Sequence, residues 1–378
     1  MSRFLFVMPP FAGHVGPAAG VAAELGRRGH EIAWAGTPEV IRPLTGAALI
    51  FECAVPPFPE RPESIHGFAA LKFRWENVLV PLGEAMEPGV RAAVTEFRPD
   101  VLVVDQQAVA GALVANRAGL RWATSASTSA ELSDPPAGLP KVAEWLRGLM
   151  RGLQERFGDP QAGQDPRFSP ALVLAFTTEE LARTRAAGPV RFVGPSIQDR
   201  TSHVDFPWQA LDPARRLVLV TLGTAGTGPR FLTECAAALR ARSRRLQAVV
   251  VDPTGSLPGS GDVIVRRKVP RLALLERASA LVCHAGYNTV CESLYHGVPL
   301  VVAPIRDDQP TIADQVVRAG AGIRLRFSRS TATQIGAAVD AVLDEPVFRE
   351  GAEQVRKSFH GAGGAPAAAD ALEQLAAS

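Results

Sequence analysis

One pattern occurs twice in this chain and restricts the fold more than any other feature. Arg3-Phe-Leu-Phe-Val-Met8 is a short apolar run, followed by Pro-Pro-Phe-Ala-Gly-His-Val-Gly and a helical pattern from Ala18 to Arg28. Arg216-Leu-Val-Leu-Val-Thr221 is a second such run, followed by Leu-Gly-Thr-Ala-Gly-Thr-Gly and a helical pattern from Phe231 to Arg240. An unbroken apolar run that enters a glycine-rich turn and then a helix fits a strand buried on both faces of a parallel sheet. Further strand candidates are Glu31–Ala35, Val101–Asp105, Leu172–Thr177 and Val190–Val193, then Ala248–Asp252, Val263–Val265, Ala280–Cys283, Leu300–Ala303 and Ile323–Leu325. Helical periodicity separates most of them. The alternation predicts an α/β protein with two Rossmann-like, doubly wound parallel-sheet domains.

The 378 residues suit two or three domains. The stretch from Gly194 to Arg215 carries Gly194-Pro195, Pro207 and Pro213 without a sustained period, and reads as the boundary. The division expected is residues 1–200, a linker over 201–214, a second domain over 215–364, and a final helix over 365–378 near the junction. A net charge of +2 offers no broad basic surface to nucleic acid or anionic membrane. The densest basic cluster, Arg240, Arg242, Arg244 and Arg245, falls at a predicted helix end, where it complements the dipole. Four cysteines without a C-x-x-C spacing imply neither a zinc cage nor a disulfide framework. No apolar stretch reaches the roughly 18 residues of a membrane span, and no signal-like segment opens the chain, so a cytoplasmic protein without an integral membrane segment is expected.

Open parallel sheets bind ligands beyond the carboxyl ends of their strands, where helix N-termini present unpaired N–H groups. His284-Ala-Gly-Tyr-Asn-Thr-Val-Cys-Glu292 directly follows a strand candidate. Gly286 permits a tight turn, so Tyr287, Asn288 and Thr289 would form a first helical turn suited to a pyrophosphate. Glu292 lies three residues beyond Thr289 on the same face, where a carboxylate could meet a ribose diol. On the residues alone, Thr289 as a simple cap and Glu292 as a first-turn acid are equally good readings. Further on, Gly297-Val-Pro-Leu-Val-Val-Ala-Pro-Ile-Arg-Asp307-Asp308-Gln309 places acid and amide side chains at a strand end. They suit sugar hydroxyls or a helix cap, although one aspartate suffices for capping.

His-Ala-Gly-x-Asn-Thr-x-x-Glu-x-x-x-x-Gly-Val-Pro, followed by Pro-x-x-x-Asp-Gln, resembles the donor signature of the GT-B glycosyltransferases. The branch it is most similar to is that of bacterial natural-product enzymes related to plant UDP-glycosyltransferases. The resemblance runs from about Val269 to Leu325 and is extended by Gly13-His14-Val-Gly-Pro17 and Leu222-Gly-Thr224. It implies two domains facing a central cleft, the first for an acceptor and the second for a nucleotide-sugar. It makes Thr224, His284, Gly286, Asn288 and Thr289 phosphate-binding, Glu292 a ribose ligand, and Asp308 and Gln309 readers of the donor sugar.

In that family the residue matching His14 is the general base toward the acceptor hydroxyl, and Asp105 matches its carboxylate partner. Imidazole, with an unperturbed pKa near 6.5, is suited to such work. Without the resemblance, His14 reads as a structural residue of a glycine turn and Asp105 as a helix cap. Where relatives carry Trp-x-Pro-Gln, this chain has Lys268-Val-Pro-Arg271. Arg271 then either stacks on the base or touches the ribose, the Val269 backbone bonds the base edge, and uracil and thymine both stay open. Phe58, Phe68, Phe73 and Trp75, in the irregular region from Pro56 to Pro88, line an acceptor pocket or pack as core.

The expectation is an inverting transfer from a UDP- or TDP-sugar to a small, largely apolar acceptor. The nucleotide-sugar is a co-substrate, and neither cofactor nor metal is called for. A nucleotide-sugar epimerase or hydrolase, and a non-catalytic helper protein, are the rival readings. A dehydrogenase is disfavoured because Gly223–Gly228 lacks the dinucleotide fingerprint.

Overall fold

The computed structural model describes residues 1–62, 65, 67–132, 140–161, 163–184, 188–197, 204–223 and 228–378. The chain divides into two compact units. The first comprises Met1–Glu179, Thr184–Gln198 and Ala362–Ser378, and the second Glu180–Arg183 and Asp199–Gly361.

The first unit holds β1 (Arg3–Val7), β2 (Glu31–Gly36), β3 (Ile50–Glu52), β4 (Val101–Asp105), β5 (Arg121–Ala126), β6 (Val173–Ala175) and β7 (Val190–Phe192) in one sheet of order β3-β2-β1-β4-β5-β6-β7. Neighbouring strands pair in parallel. Strand side chains alternate between faces, and both faces are covered. Phe4, Phe6, Val101 and Val103 pack with Val15, Ala18 and Leu25 of the helix Ala12–Arg27, and with Ala368, Ala369 and Leu372 of the last helix, Gly364–Ala377. Leu5, Val7, Leu102 and Val104 pack on the opposite side with Leu82, Met86 and Val90 of Val80–Phe97 and Ala112 and Val114 of Ala110–Ala118. This double coverage explains why these strands read as unbroken apolar runs. Arg28 also reaches Asp370 and Glu373, and His30 reaches Glu373, which ties the last helix to the first.

The second unit holds β8 (Arg216–Thr221), β9 (Leu246–Val251), β10 (Val263–Arg266), β11 (Ala278–Cys283), β12 (Leu300–Val302) and β13 (Gly322–Arg324), in the order β10-β9-β8-β11-β12-β13. Val218 and Val220 pack with Phe231, Cys235 and Leu239 of the helix Pro229–Arg240 and with Ile335, Val339 and Val342 of Ala332–Asp344. The basic cluster noted in the sequence is partly occupied by carboxylates of that last helix: Arg242 binds Asp340 and Arg245 binds Asp344.

Each sheet is doubly wound. Its strand order reverses between β1 and β4 in the first unit and between β8 and β11 in the second, the switch points at which such sheets bind ligands. Two strands escaped the sequence reading. β3 is a three-residue edge strand, and β5 contains Thr124 and Ser125, so it lacks an apolar run. Thr124 is tolerated in β5 because it is bonded locally, whereas the buried Ser125 hydroxyl has no partner among the described residues. Thr124 Oγ1 accepts the Ser169 N–H at 2.7 Å and donates to the Arg167 carbonyl at 3.2 Å. The irregular region from Pro56 to Pro88 also proved partly helical, with Gly67–Arg74, a π-helical turn Trp75–Leu79 and the start of Val80–Phe97.

Candidate active site

At the first switch point, β1 leads into the helix Ala12–Arg27 and β4 ends in Asp105. His14 was expected in a glycine turn before a helix from Ala18; the helix instead begins at Ala12, with His14 in its first turn. Gly13, Gly16 and Pro17 weaken the helical signal there, and Pro17 lies inside the helix, past its first turn. The His14 Nδ1 lies 3.0 Å from both Asp105 oxygens, and the Asp105 side chain is fully buried. Asp105 Oδ1 also accepts the Gln107 N–H at 2.9 Å, an Asx-type turn that fixes the carboxylate. Arg74 donates to Gln107 Oε1 at 2.7 Å.

A carboxylate only accepts, so this arrangement puts a proton on Nδ1 and leaves Nε2 as the open, basic nitrogen. The His14 side chain is 16% exposed. Ser127 Oγ lies 2.7 Å from the same Nδ1. Ser127 directly follows β5.

At the second switch point, β8 ends beside Leu222-Gly223 and β11 runs into His284. The imidazole of His284 is held by two close backbones. A Cβ on Gly223 would come within 2.9 Å of Cε1, and one on Gly286 within 2.7 Å of both Cε1 and Nε2. Gly286 is therefore required for closeness rather than for the turn conformation expected of it. Its φ is −63°, and the left-handed residue is Ala285, at φ +62°. Asp307 is also left-handed, at φ +58°. Non-glycine residues in this region store strain that commonly marks functional turns.

Gly286 caps the helix Tyr287–Tyr295 without a side-chain bond, and Asn288 and Thr289 stand in its first turn as expected. His284 is 5% exposed, and its Nδ1 has no hydrogen-bond partner among the described residues. Burial, reinforced by the charges of Arg306 and Arg271, pushes its pKa down from 6.5 to about 4. It is consequently neutral at pH 7, with one N–H to donate.

Glu292, a ribose ligand by the resemblance, and Arg271, expected at the base or the ribose where the chain departs from the family motif, bind each other: Arg271 Nη2 donates to Glu292 Oε1 at 2.8 Å and Nε approaches Oε2 at 2.5 Å. Val269 is half-buried just before the helix Arg271–Leu275. Gln309 Oε1 accepts the backbone N–H groups of Ile305 and Arg306 at 2.9 and 3.0 Å, so its oxygen holds the turn. Asp308 sits at the N-cap position of Gln309–Arg318 without capping through its side chain. Thr224 lies outside the described residues.

The four aromatic candidates separate. Phe68 (46%) and Phe58 (37%) are exposed, and Phe73 is half-buried. Trp75 is 2% exposed, packed with Leu79, Val109, Leu113 and Met150, which makes it core and not lining. The Phe11 ring connects this region to His14, 6.0 Å from Phe58 and 5.5 Å from the imidazole. No helix among the described residues is long and apolar enough to cross a membrane.

Residues 244–375 match the family model for the C-terminal domain of erythromycin biosynthesis protein CIII-like proteins. The chain is 30% identical to 4'-demethylrebeccamycin synthase of Lentzea aerocolonigenes, over 99% of each chain. It is 26% identical to NDP-glycosyltransferase YjiC of Bacillus subtilis (strain 168), over 96% of this chain and 95% of that one. Among solved structures, the glycotransferase of kitacinnamycin superposes with a TM-score of 0.80 at 26% identity, covering 99% of both chains. Sequence, fold and full-length similarity agree: the chain belongs to the GT-B glycosyltransferases, in the natural-product branch that includes enzymes of antibiotic biosynthesis.

Proposed function

We propose that this enzyme transfers a sugar, with inversion, from a UDP- or TDP-sugar to a hydroxyl of a small, largely apolar natural product. The observation that carries the reading is the contact between His14 and Asp105 at the first switch point. The acceptor O–H gives its proton to His14 Nε2 as its oxygen attacks the anomeric carbon. The bond from that carbon to the phosphate oxygen breaks on the opposite face, and its electron pair leaves with the nucleoside diphosphate. Asp105 stabilises the imidazolium through Nδ1–H, as in other carboxylate-supported histidine bases. In the second unit the helix N-terminus after Gly286, with Asn288, Thr289, Thr224 and the neutral His284, receives the charge developing on the diphosphate.

Asp308 and the Gln309 amide face the transferred sugar in this scheme, and Val269, Arg271 and Glu292 the nucleoside. Phe58, Phe68 and Phe73 offer apolar contact to the acceptor, with Trp75 as the core beneath them. The nucleotide-sugar is a co-substrate, and no resident cofactor or metal is assigned. The names of the relatives support an aglycone of the antibiotic type.

The test is turnover of TDP- and UDP-sugars by the wild type and by His14→Ala, with the anomeric configuration of the product read from its proton coupling. Inverted product and a loss of at least 100-fold in the variant are expected. Retained configuration, or near-normal turnover of an oxygen acceptor by the variant, contradicts the reading.

A further inference from the structure

We infer that Ser127 is a positioning residue for the base: its hydroxyl shares the Nδ1 proton of His14 with Asp105 and holds the ring in place, while the acceptor-only carboxylate leaves Nε2 as the basic nitrogen. The inference rests on the role proposed for His14 and deepens it. An imidazole Nδ1 has one direction in the ring plane for a proton or a lone pair. Three oxygens crowd it here: Asp105 Oδ1 and Oδ2 at 3.0 Å and Ser127 Oγ at 2.7 Å, the nearest of the three. The carboxylate oxygens only accept, and Oδ1 already holds the Gln107 N–H.

If the hydroxyl donated to Nδ1, the ring's lone pair would face two carboxylate oxygens, and the proton would sit on Nε2. That tautomer has no lone pair on Nε2 to take a proton. With the proton on Nδ1, the hydroxyl accepts instead, and the imidazolium formed on proton transfer is met by two partners. The fold supplies the precision this needs. β5 pairs with β4 in a register that sets Ser125 opposite Asp105, and Ser127 follows two residues later, buried. Phe11 stands near the ring as an apolar neighbour.

The ring nitrogens report this directly. In protein labelled with 15N at its seven histidines, the His14 signals, identified by their loss in His14→Gln, should show the Nδ1–H tautomer. Ser127→Ala, a nearly isosteric change, should shift the Nδ1–H signal as one of its acceptors is lost, with the tautomer kept by Asp105, and Ser127→Thr should restore the original signature. With TDP-glucose or UDP-glucose and 4-methylumbelliferone, Ser127→Ala should lower kcat about twofold to tenfold, with KM for the phenol unchanged.

An unchanged ring signature in Ser127→Ala overturns the inference, as does a loss confined to KM, which would make Ser127 a substrate contact. A changed signature in a chain that transfers no sugar, even as wild type, upholds the positioning role while removing the catalytic role from His14.

Discussion

Two histidines stand at the switch points of the two units, His14 in the helix that follows β1 and His284 directly after β11, on opposite sides of the reversal in strand order. Their surroundings differ. His14 faces a buried carboxylate and a hydroxyl through Nδ1. His284 is clamped between Gly223 and Gly286, has no partner at Nδ1 among the described residues, and feels the positive charge of Arg306 and Arg271. One fold thus presents the same side chain in two chemical forms. In the proposed reading, the first takes the proton of the acceptor hydroxyl. The second is held neutral, beside a helix N-terminus, where it can donate to an anion without gaining charge. The neighbours decide the role, and the position in the fold decides only that a role is available.

The comparison breaks first at His14. Replacing it with alanine should lower transfer about 10²- to 10⁴-fold, the usual range for losing a general base, while nucleoside diphosphate affinity in calorimetry stays within twofold. If nucleotide binding falls as well, the division between the units is wrong. His284→Ala should do the reverse, weakening UDP or TDP binding about 10- to 100-fold through loss of a hydrogen bond to a charged ligand. Gly286→Ala sharpens the same contrast at smaller scale. Its Cβ must displace the His284 ring, so nucleotide affinity should fall several-fold, with His14 tautomer signals unchanged.

The smallest effect is in acid stability. The unfolded chain protonates His284 near 6.5 and the folded chain only near 4, so the unfolded state binds the extra proton between these values. The contribution of this group is complete above about pH 6.5 and is lost as pH falls toward about 4. His284→Asn should flatten that part of the pH dependence in urea unfolding of the second unit. An unaltered slope would mean that the imidazole is not held neutral by its site.

Much of this was legible in the sequence. Doubly covered strands are apolar throughout, so β1, β4, β8, β9 and β11 stood out, and with them the positions of Asp105 and His284 at strand ends. β5 did not, because its buried Thr124 and Ser125 look like turn residues until their surroundings are known. The helical start at Ala12 was hidden by two glycines and a proline. The function of Gly286 was misread because a glycine chosen for closeness and one chosen for conformation are the same letter. The pairing of Arg271 with Glu292, and the capture of the Gln309 oxygen by two backbone N–H groups, carry no periodic signal. Such contacts depend on packing between elements, which spacing along the chain does not encode.

The most direct test of the division between the two histidines is calorimetric titration of TDP and UDP into wild type, His14→Ala and His284→Ala side by side. The account predicts affinity unchanged in His14→Ala and at least tenfold weaker in His284→Ala. Equal losses in both variants, or a loss in His14→Ala alone, would contradict it.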